Sequence, residues 1–207
     1  MPKIVDHEER KARLAAAVWR VIERAGIEGA TVRSVAAEAG VSPGSLRYYF
    51  SDQGELLLFA ADLIARRVAD RIAAHIAADD AGPGHAQLIL EELLPLDTDR
   101  TVEAAVWLGF HSQGRFDGRL APMRLAGWRG ERHICRLALA GLNGLKPPRG
   151  PENVFPDTRD ETAAARLHTF IDGLTLQAIA FPDQMPPKAA RRILADFIAD
   201  LRTDRRR

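Results

Sequence analysis

Residues 31–55 constrain the fold most, because they have the pattern of two short helices separated by a turn of only two residues. Thr31 is a good helix N-cap, and Gly40 can adopt the left-handed conformation that ends a helix. Ser42 then caps a second helix, in which Pro43 takes the first position, where a missing N–H costs nothing. So short a turn makes the helices cross steeply. This spacing is typical of a helix-turn-helix, whose second helix enters the DNA major groove, and equally of an ordinary helical hairpin.

The composition of the second helix, residues 42–50, favours the DNA-binding interpretation; we call these residues the recognition segment. The segment has no acidic residue and carries one arginine, two tyrosines, two serines and a glycine. Small groups at its start allow the backbone to approach base edges, and hydroxyl groups suit phosphate oxygens. Only Leu46 and Phe50, which are four residues apart, have the spacing expected for core packing.

Residues 10–59 resemble the DNA-binding headpiece of TetR-type transcriptional repressors. The matching features are an amphipathic first helix that ends at Gly26, then Thr31 and Arg33, then the pattern AxxAGVSPGSLxxYF, then a capped fourth helix that begins near Gln53. The rest of the chain agrees with this family in length and helical character. The resemblance implies an all-α fold, with an N-terminal three-helix helix-turn-helix headpiece and a C-terminal helical domain for ligand binding and dimerisation.

Hydrophobic periodicity also predicts an all-α chain of about nine helices, without an internal repeat or a sustained strand pattern. We expect the helices over residues 7–25, 32–39, 43–50, 53–77, 85–94, 98–112, 120–142, 158–180 and 187–201. The expected division is a DNA-binding headpiece of residues 1–52 and an effector-binding and dimerisation domain of residues 53–207.

The resemblance implies a set of DNA-contacting residues on the second and third helices and the turns beside them. They are Thr31, Arg33, Ser42, Pro43, Gly44, Ser45, Arg47, Tyr48, Tyr49 and Gln53. Arg47 stands where the family often has Tyr, so its partner, a base or a phosphate, stays open. Gln53 stands where many relatives carry Lys. Some of the residues in this set have an alternative to DNA contact. Thr31 has its role as a helix cap, and Arg33 can be an ordinary solvated surface residue. One of the two tyrosines can pack inward instead.

Charge and cysteine content limit the class of partner and the compartment. The net charge is +1, and residues 1–55 hold eight basic and eight acidic residues, which favours site-specific DNA binding over general DNA coating. A single cysteine, Cys135, excludes an intrachain disulfide and fits a reducing compartment. No run approaches the ~18–20 apolar residues that span a bilayer. We therefore expect a cytoplasmic protein with no membrane partner.

Aromatic residues with a few polar groups in the central helices favour a small-molecule pocket, with plain core packing as the alternative. The candidate ligand-binding residues are Trp107, Phe110, His111, Phe116, Trp128 and Phe170. The effector itself is not specified by any motif. We expect no cofactor and no metal site, since His133 and Cys135, two residues apart on one helix, do not point at one metal ion.

The last two predicted helices carry apolar residues that must be buried against something. The predicted dimerisation residues are Leu167, Ile171, Leu174, Ala178, Ile193, Phe197 and Leu201. In TetR-like proteins the corresponding helix pair packs against its copy from a second subunit as a four-helix bundle; packing within one chain is the alternative. A two-fold homodimer reads two half-sites about one helical turn apart, or a multiple of it, which predicts a palindromic operator.

The sequence thus predicts a DNA-binding transcriptional regulator, a repressor released from its operator by a small-molecule effector. We expect effector binding between the fourth and seventh helices to tilt the fourth helix, which requires unequal affinity for two conformations. Control by a protein partner, the absence of an effector, and activation in place of repression stay open. An enzyme is not expected, because the sequence has no GxSxG, P-loop, HExxH or Rossmann motif.

Overall fold

The computed structural model describes residues 3–78, 82–113, 115 and 118–205. Within these residues the chain forms nine α-helices, one short 3-10 helix at Gly118–Leu120, and no strand, which confirms the all-α prediction. The α-helices are α1 (Lys3–Gly29), α2 (Val32–Ala39), α3 (Pro43–Arg47), α4 (Gln53–Ala77), α5 (Pro83–Glu91), α6 (Thr98–Gln113), α7 (Ala121–Asn143), α8 (Thr158–Ala180) and α9 (Pro187–Arg205).

The chain divides into two compact units. The first consists of residues 1–66 and 105–124, and the second of residues 67–104 and 125–207. Helices α4, α6 and α7 therefore contribute residues to both units. The division into domains at residue 52 that the sequence predicts stays a prediction.

The first unit contains the helix-turn-helix. Helix α1 packs against α2, and α2 packs against α3, around buried residues that include Val18, Val35 and Leu46, each with no exposed area. Gly26 has a φ of 68°, so it interrupts α1 where the sequence predicted an end, and a further turn then extends the helix to Gly29. Gly40 has φ 67° and ψ 31°, the left-handed conformation that closes α2.

Side-chain caps fix the starts of both α2 and α3. Thr31 Oγ1 accepts a hydrogen bond from the Ser34 backbone N–H at 3.1 Å, and the Thr31 N–H donates in return to Ser34 Oγ at 2.9 Å. Ser42 Oγ accepts from the Ser45 N–H at 3.0 Å. Both predicted N-caps are thus confirmed. The third helix is shorter than predicted, because it ends at Arg47 in a tight turn in which the Tyr49 N–H bonds to the Leu46 carbonyl.

Helix α4 has the predicted start and the predicted length of 25 residues. The Asp52 carboxylate accepts from the Glu55 N–H at 3.1 Å and so caps the helix. The Glu55 carboxylate accepts from the Ser51 N–H at 2.6 Å. Together the two carboxylates satisfy donors on both sides of the helix start.

The second unit is a helical bundle in which α9 packs against both α5 and α8. Its core includes Leu90, Leu94, Leu167 and Leu194, each with about 1% or less of its surface exposed. Helix α5 ends at Glu91, three residues before the predicted end, because the following turn has tighter hydrogen bonds of the 3-10 type. Among the described residues, no helix is both long and apolar enough to cross a membrane.

Candidate functional site

The predicted DNA-contacting residues lie on α2, α3 and the adjoining turns, all within the first unit. Most of them are exposed, and three are half-buried: Ser45, Tyr49 and Gln53. The exposed residues are Thr31, Arg33, Ser42, Pro43, Gly44, Arg47 and Tyr48. Their backbone and side chains are therefore open to a partner that approaches the start of α3.

Two apolar residues hold this surface from behind, as the sequence predicted. Leu46 has no exposed area, and Phe50 is 6% exposed with its ring 5.0 Å from that of Phe59 on α4. A five-residue helix cannot persist alone, because helix nucleation is unfavourable. The position of the recognition segment therefore depends on the burial of these two side chains.

Ion pairs leave only part of the positive charge of this unit free. Glu38 on α2 pairs with Arg20 and Arg24 on α1, with N–O distances of 2.5 and 3.0 Å. These hydrogen bonds, that of Arg20 foremost, hold the pKa of the Glu38 carboxyl below its ordinary value. Arg33 and Arg47, in contrast, form no ion pair or hydrogen bond with any residue that the structure describes. Two guanidinium groups on α2 and α3, where DNA contacts are expected, are thus free for such contacts.

Three of the predicted contact residues already bond within the protein. The hydroxyl groups of Thr31 and Ser42 serve as helix caps. One of the two hydrogens on Gln53 Nε2 is donated to the Ala30 carbonyl at 2.7 Å, which links the start of α4 to the loop before α2. These residues can offer DNA only their remaining hydrogen-bonding capacity.

The segment of residues 105–124 also contacts the helix-turn-helix, through residues that sequence reasoning did not single out. Arg119 donates to Asp52 at 2.6 Å, and this bond is the main cause of a lowered pKa of the Asp52 carboxyl. Gly109 on α6 lies directly against Ile27 at the end of α1. Both contacts join residues more than sixty positions apart in the sequence, so no local pattern indicates them.

Three of the predicted ligand-binding residues lie together on α6. The Trp107 ring is 4.8 Å from the His111 ring, and the Phe110 ring is 6.4 Å from it. Phe110 is 5% exposed and serves as core, whereas Trp107 and His111 are half-buried. A molecule bound here would therefore meet Trp107 and His111 before Phe110.

The other predicted ligand-binding residues lie elsewhere. Trp128 is 43% exposed and has the Arg132 guanidinium 4.9 Å from its ring centre. Phe170 stacks on Phe197, a predicted dimerisation residue, at 3.9 Å and nearly parallel. Phe116 lies outside the described residues. The structure therefore does not bring the whole predicted set into one place.

One cavity of about 260 Å³ lies in the second unit, between the end of α7 and the start of α8. Leu139, Asn143, Thr158 and Arg166 are among its lining residues, and Leu201 of α9 contributes to the wall. None of the predicted ligand-binding residues lines it. Its volume lies just below the range of ~300–1,000 Å³ usual for small-molecule pockets.

The predicted dimerisation residues are divided between the core and the surface of one chain. Five are buried: Leu167, Ile171, Leu174, Ala178 and Leu201. Packing against α5, α7 and α9 accounts for most of these without a second subunit. Ile193 and Phe197 are half-buried, and the exposed apolar residues of this region are Leu176, at 46%, and Phe181, at 62%.

A buried histidine on α8 has a hydrogen position that its neighbours determine. His168 is 1% exposed, and Arg132 Nε donates to its Nδ1 at 3.1 Å. Because an arginine only donates, Nδ1 must accept, and the ring hydrogen lies on Nε2. Nε2 faces Glu131 Oε2 at 3.2 Å and Asp172 Oδ1 at 3.4 Å. The neutral ring therefore bridges a cation and two carboxylates.

Three residues of this cluster, Glu131, His168 and Asp172, are a candidate metal-ligating group. One ligand atom from each lies within 4.8 Å of the others. A metal ion on Nε2 would require the ring hydrogen on Nδ1. That hydrogen would then face the N–H of Arg132, donor against donor. The hydrogen bond from Arg132 to Nδ1 therefore favours a hydrogen on His168 Nε2 over a metal ion bound to that nitrogen.

The cluster predicts a pH-dependent stability. Burial raises the pKa of Asp172 to about 6, with the Glu131 carboxylate acting in the same direction and the positive charge of Arg132 acting against it. The folded chain thus binds this proton more tightly than the unfolded chain, so the contribution to the free energy of unfolding falls as pH rises from about 4 to about 7. We expect Asp172→Asn to stabilise the chain at about pH 7.5 and to lose this advantage towards about pH 4 in urea titrations. The exposed control Asp70→Asn should show no such trend, and a flat difference for Asp172→Asn would contradict the assignment.

Comparison with known proteins agrees with this geometry. Residues 14–59 match the family model of bacterial regulatory proteins of the tetR family, and residues 85–203 match that of the C-terminal region of BetI-type transcriptional repressors. The chain is 34% identical to the HTH-type transcriptional regulator PksA of Bacillus subtilis, over 97% of this chain and 94% of that protein.

Solved structures have the same fold. A transcriptional regulator from Rhodococcus sp. superimposes with a TM-score of 0.76 and 30% identity, over 92% of this chain and 95% of that one. A regulator from Saccharomonospora viridis, crystallised in complex with choline, has a TM-score of 0.77 and 23% identity, over 93% and 96%. The matched families are of transcriptional regulators and not of enzymes, as the sequence predicted. The chain therefore belongs to the TetR family of bacterial transcriptional regulators, and its C-terminal region is of the BetI type.

Proposed function

We propose that this regulator is a repressor that binds a palindromic operator as a homodimer and leaves it when a small-molecule effector binds. Residues 1–52 would contact DNA, and residues 53–207 would bind the effector and form the dimer. DNA as the partner makes the cytoplasm the expected compartment. The observation that carries the proposal is the exposed, acid-free start of α3, with Arg33 and Arg47 unpaired among the described residues.

The two free arginines are the proposed specificity residues. Arg33 stands early in α2 and Arg47 at the end of α3, and both side chains are exposed. A guanidinium group can bond to a guanine edge through two hydrogen bonds, the commonest specific contact in the major groove. Tyr48 and Tyr49 would bind phosphates. The hydroxyl groups of Thr31 and Ser42 accept capping hydrogen bonds and could still donate to a phosphate.

We expect Arg47→Ala to weaken operator binding by at least about 1 kcal/mol with the fold intact. Arg47 is the only charged residue of the recognition segment and is exposed. The measurement is a gel-shift titration, with circular dichroism to check folding. Arg149→Ala is the matched control, since it removes the same charge from an exposed loop outside the first unit. Equal affinities for the two variants would remove Arg47 from the interface.

Selection of bound duplexes from a random DNA library tests the DNA-binding proposal directly. The expected product is a palindrome with half-sites one helical turn apart, or a multiple of it. Because a palindrome requires a two-fold protein, the same experiment tests the homodimer. Enrichment of no sequence over bulk competitor DNA would refute the proposed function.

The dimer is proposed to use α8 and α9. Ile193 and Phe197 are half-buried, and Leu176 and Phe181 expose large apolar side chains in one chain. Sedimentation equilibrium should give twice the chain mass. Phe181→Ser should shift the equilibrium towards the monomer, because it removes an apolar side chain that is 62% exposed and therefore contributes little to the core of one chain.

The effector is proposed to contact α6 at Trp107 and His111. The regulator from Saccharomonospora viridis was crystallised with choline, which makes small organic cations a reasonable first panel. Thermal stabilisation by a panel compound, together with release of the selected duplex, is the expected result. Release that requires a protein partner and no panel compound would favour the alternative of protein-controlled regulation.

A further inference from the structure

Gly109 occupies a position on α6 where an added Cβ atom would collide with the side chain of Ile27. A Cβ atom added to Gly109 would lie 2.3 Å from Ile27 Cγ2, 3.2 Å from Ile27 Cβ and 3.3 Å from Ile27 Cγ1. Carbon atoms of packed side chains prefer separations of about 3.5–4.0 Å. The α6 backbone therefore lies directly on the Ile27 side chain, and even an alanine would require one of the two to move.

Ile27 is a sensitive place for such a contact. It is 7% exposed and follows Gly26, whose φ of 68° interrupts α1. It lies four residues before Thr31, the N-cap of α2, and three before Ala30, whose carbonyl accepts from Gln53 of α4. A displacement of Ile27 would therefore act on a short, tightly bonded loop that sets the start of α2.

A second contact between residues 105–124 and the helix-turn-helix is an exposed ion pair. Arg119 and Asp52 form an ion pair whose side chains are 61% and 42% exposed. Solvent screens an ion pair that is exposed to this degree, so it holds the two segments together only weakly. The close steric contact at Gly109 is thus the better candidate for fixing the position of the helix-turn-helix against α6.

The face of α6 opposite Gly109 carries the aromatic pair. At 3.6 residues per turn, Gly109 lies about 200° around the helix from both Trp107 and His111. Their rings are 4.8 Å apart and half-buried. A molecule that displaces α6 from the side of these rings must therefore alter the contact with Ile27 on the other side.

We propose that Gly109 is a positioning residue for operator binding, because its missing side chain lets α6 support Ile27 and hold the recognition segment in its DNA-binding position. The proposal rests on the proposed DNA-binding function and adds to it the contact through which α6 acts on the headpiece. Gly109 does not touch DNA in this role; it acts through Ile27.

The test compares Gly109→Ala with Gly127→Ala. Both substitutions add one methyl group within a helix, but a Cβ at Gly127 meets no atom within 4 Å. The wild type first selects its operator from random duplexes, and affinities are then measured at a temperature where circular dichroism shows each variant folded. We expect Gly109→Ala to bind this duplex at least about tenfold more weakly, a loss of about 1.4 kcal/mol, and Gly127→Ala to bind it as the wild type does.

A rescue variant separates positioning from folding. Ile27→Ala removes Cγ1 and Cγ2, so Gly109→Ala/Ile27→Ala should recover most of the lost affinity, whereas Gly109→Ala/Ile27→Val should not, because valine keeps both atoms. Affinity for a non-operator duplex should stay unchanged throughout, since the basic face is intact. A role in folding alone would lower operator and non-operator binding together.

Three results would overturn the proposal. They are operator affinity of Gly109→Ala equal to that of Gly127→Ala, no recovery in the Ile27→Ala double variant, and a parallel loss of non-operator binding. Should Gly109→Ala not fold, Ile27→Ala alone breaks the same contact from the other side, and unchanged operator affinity there would also overturn it. A wild type that selects no operator would instead refute the proposed function itself, and the inference with it.

Discussion

Arg71→Ala should destabilise the second unit by about 3–5 kcal/mol, the usual cost of leaving a buried charge without its partner. Arg71 on α4 donates to Glu103 through both terminal nitrogens, at 2.9 and 2.6 Å, and to Glu92 through Nε at 2.6 Å. The two carboxylate side chains are only 6% and 9% exposed. Urea unfolding at a fixed protein concentration measures the loss.

The loss should fall unequally on the two acids. Glu92 keeps His75 Nε2 at 2.9 Å and Arg100 at 3.5 Å, whereas Glu103 has no other cation among the described residues. Replacing both partners, as in Arg71→Met/Glu103→Leu, should therefore recover most of the stability, because no unpaired charge remains. A double variant as unstable as Arg71→Ala would show that packing and not charge causes the loss.

A surface pair on the same helix provides the control. Arg66 pairs with Asp62 on α4, and its side chain is 74% exposed. Arg66→Ala should change the free energy of unfolding by no more than about 0.5 kcal/mol, as is usual for exposed pairs four residues apart on a helix. A large effect there would mean that truncation of any arginine on α4 destabilises the chain.

The contrast between these two arginines shows what the sequence can and cannot reveal. Arg66 and Asp62 are one helical turn apart, so their pairing is a local pattern. Arg71 and Glu103 are separated by 32 residues, and their pairing depends on how α4 and α6 pack. A single sequence does not indicate which residues of α4 and α6 pack together. The ion-pair network of Arg71 with Glu92 and Glu103 was therefore not predictable.

The helix-turn-helix was predictable for the opposite reason. Thr31, Gly40, Ser42 and Pro43 act within a few residues of their own positions, through caps and a left-handed backbone. Their chemistry fixes the helix ends whatever lies around them. The reciprocal bond of Ser34 to Thr31 is equally local, because it joins residues only three positions apart.

The ligand-binding and dimerisation residues were harder to assign. Apolar periodicity predicts that a helix face is buried, but not whether the same chain, a ligand or a second subunit packs on it. Leu167 and Ile171 have the spacing of a helix interface, and a single chain already buries them. Phe170 was predicted to bind ligand, yet it stacks on Phe197 of α9. The predicted roles in ligand binding and dimerisation stay predictions. Leu176 and Phe181 are exposed, and apolar periodicity alone did not distinguish them from core residues.

Leu46→Ala should destabilise the helix-turn-helix by about 2–5 kcal/mol, the usual cost of truncating a buried leucine. Leu46 has no exposed area, and it is the fourth residue of a five-residue helix that has no stability of its own. We expect a headpiece that unfolds at a lower temperature than the rest of the chain, with operator binding lost in proportion to the unfolded fraction. Two resolved thermal transitions, followed by circular dichroism, are the signature.

Tyr48→Ala, two residues further along, should show the opposite pattern. The Tyr48 side chain is 85% exposed, so its removal should change stability by no more than about 0.5 kcal/mol. Operator affinity should fall about tenfold, because a hydrogen bond to a charged phosphate is lost. Since Leu46 supports the segment and Tyr48 faces outward from it, the pair separates a loss of fold from a loss of contact. Operator affinity could instead fall for Leu46→Ala and stay unchanged for Tyr48→Ala. That result would place the tyrosine outside the interface. The phosphate contacts would then be assigned to Arg33, Arg47 and the backbone of α4.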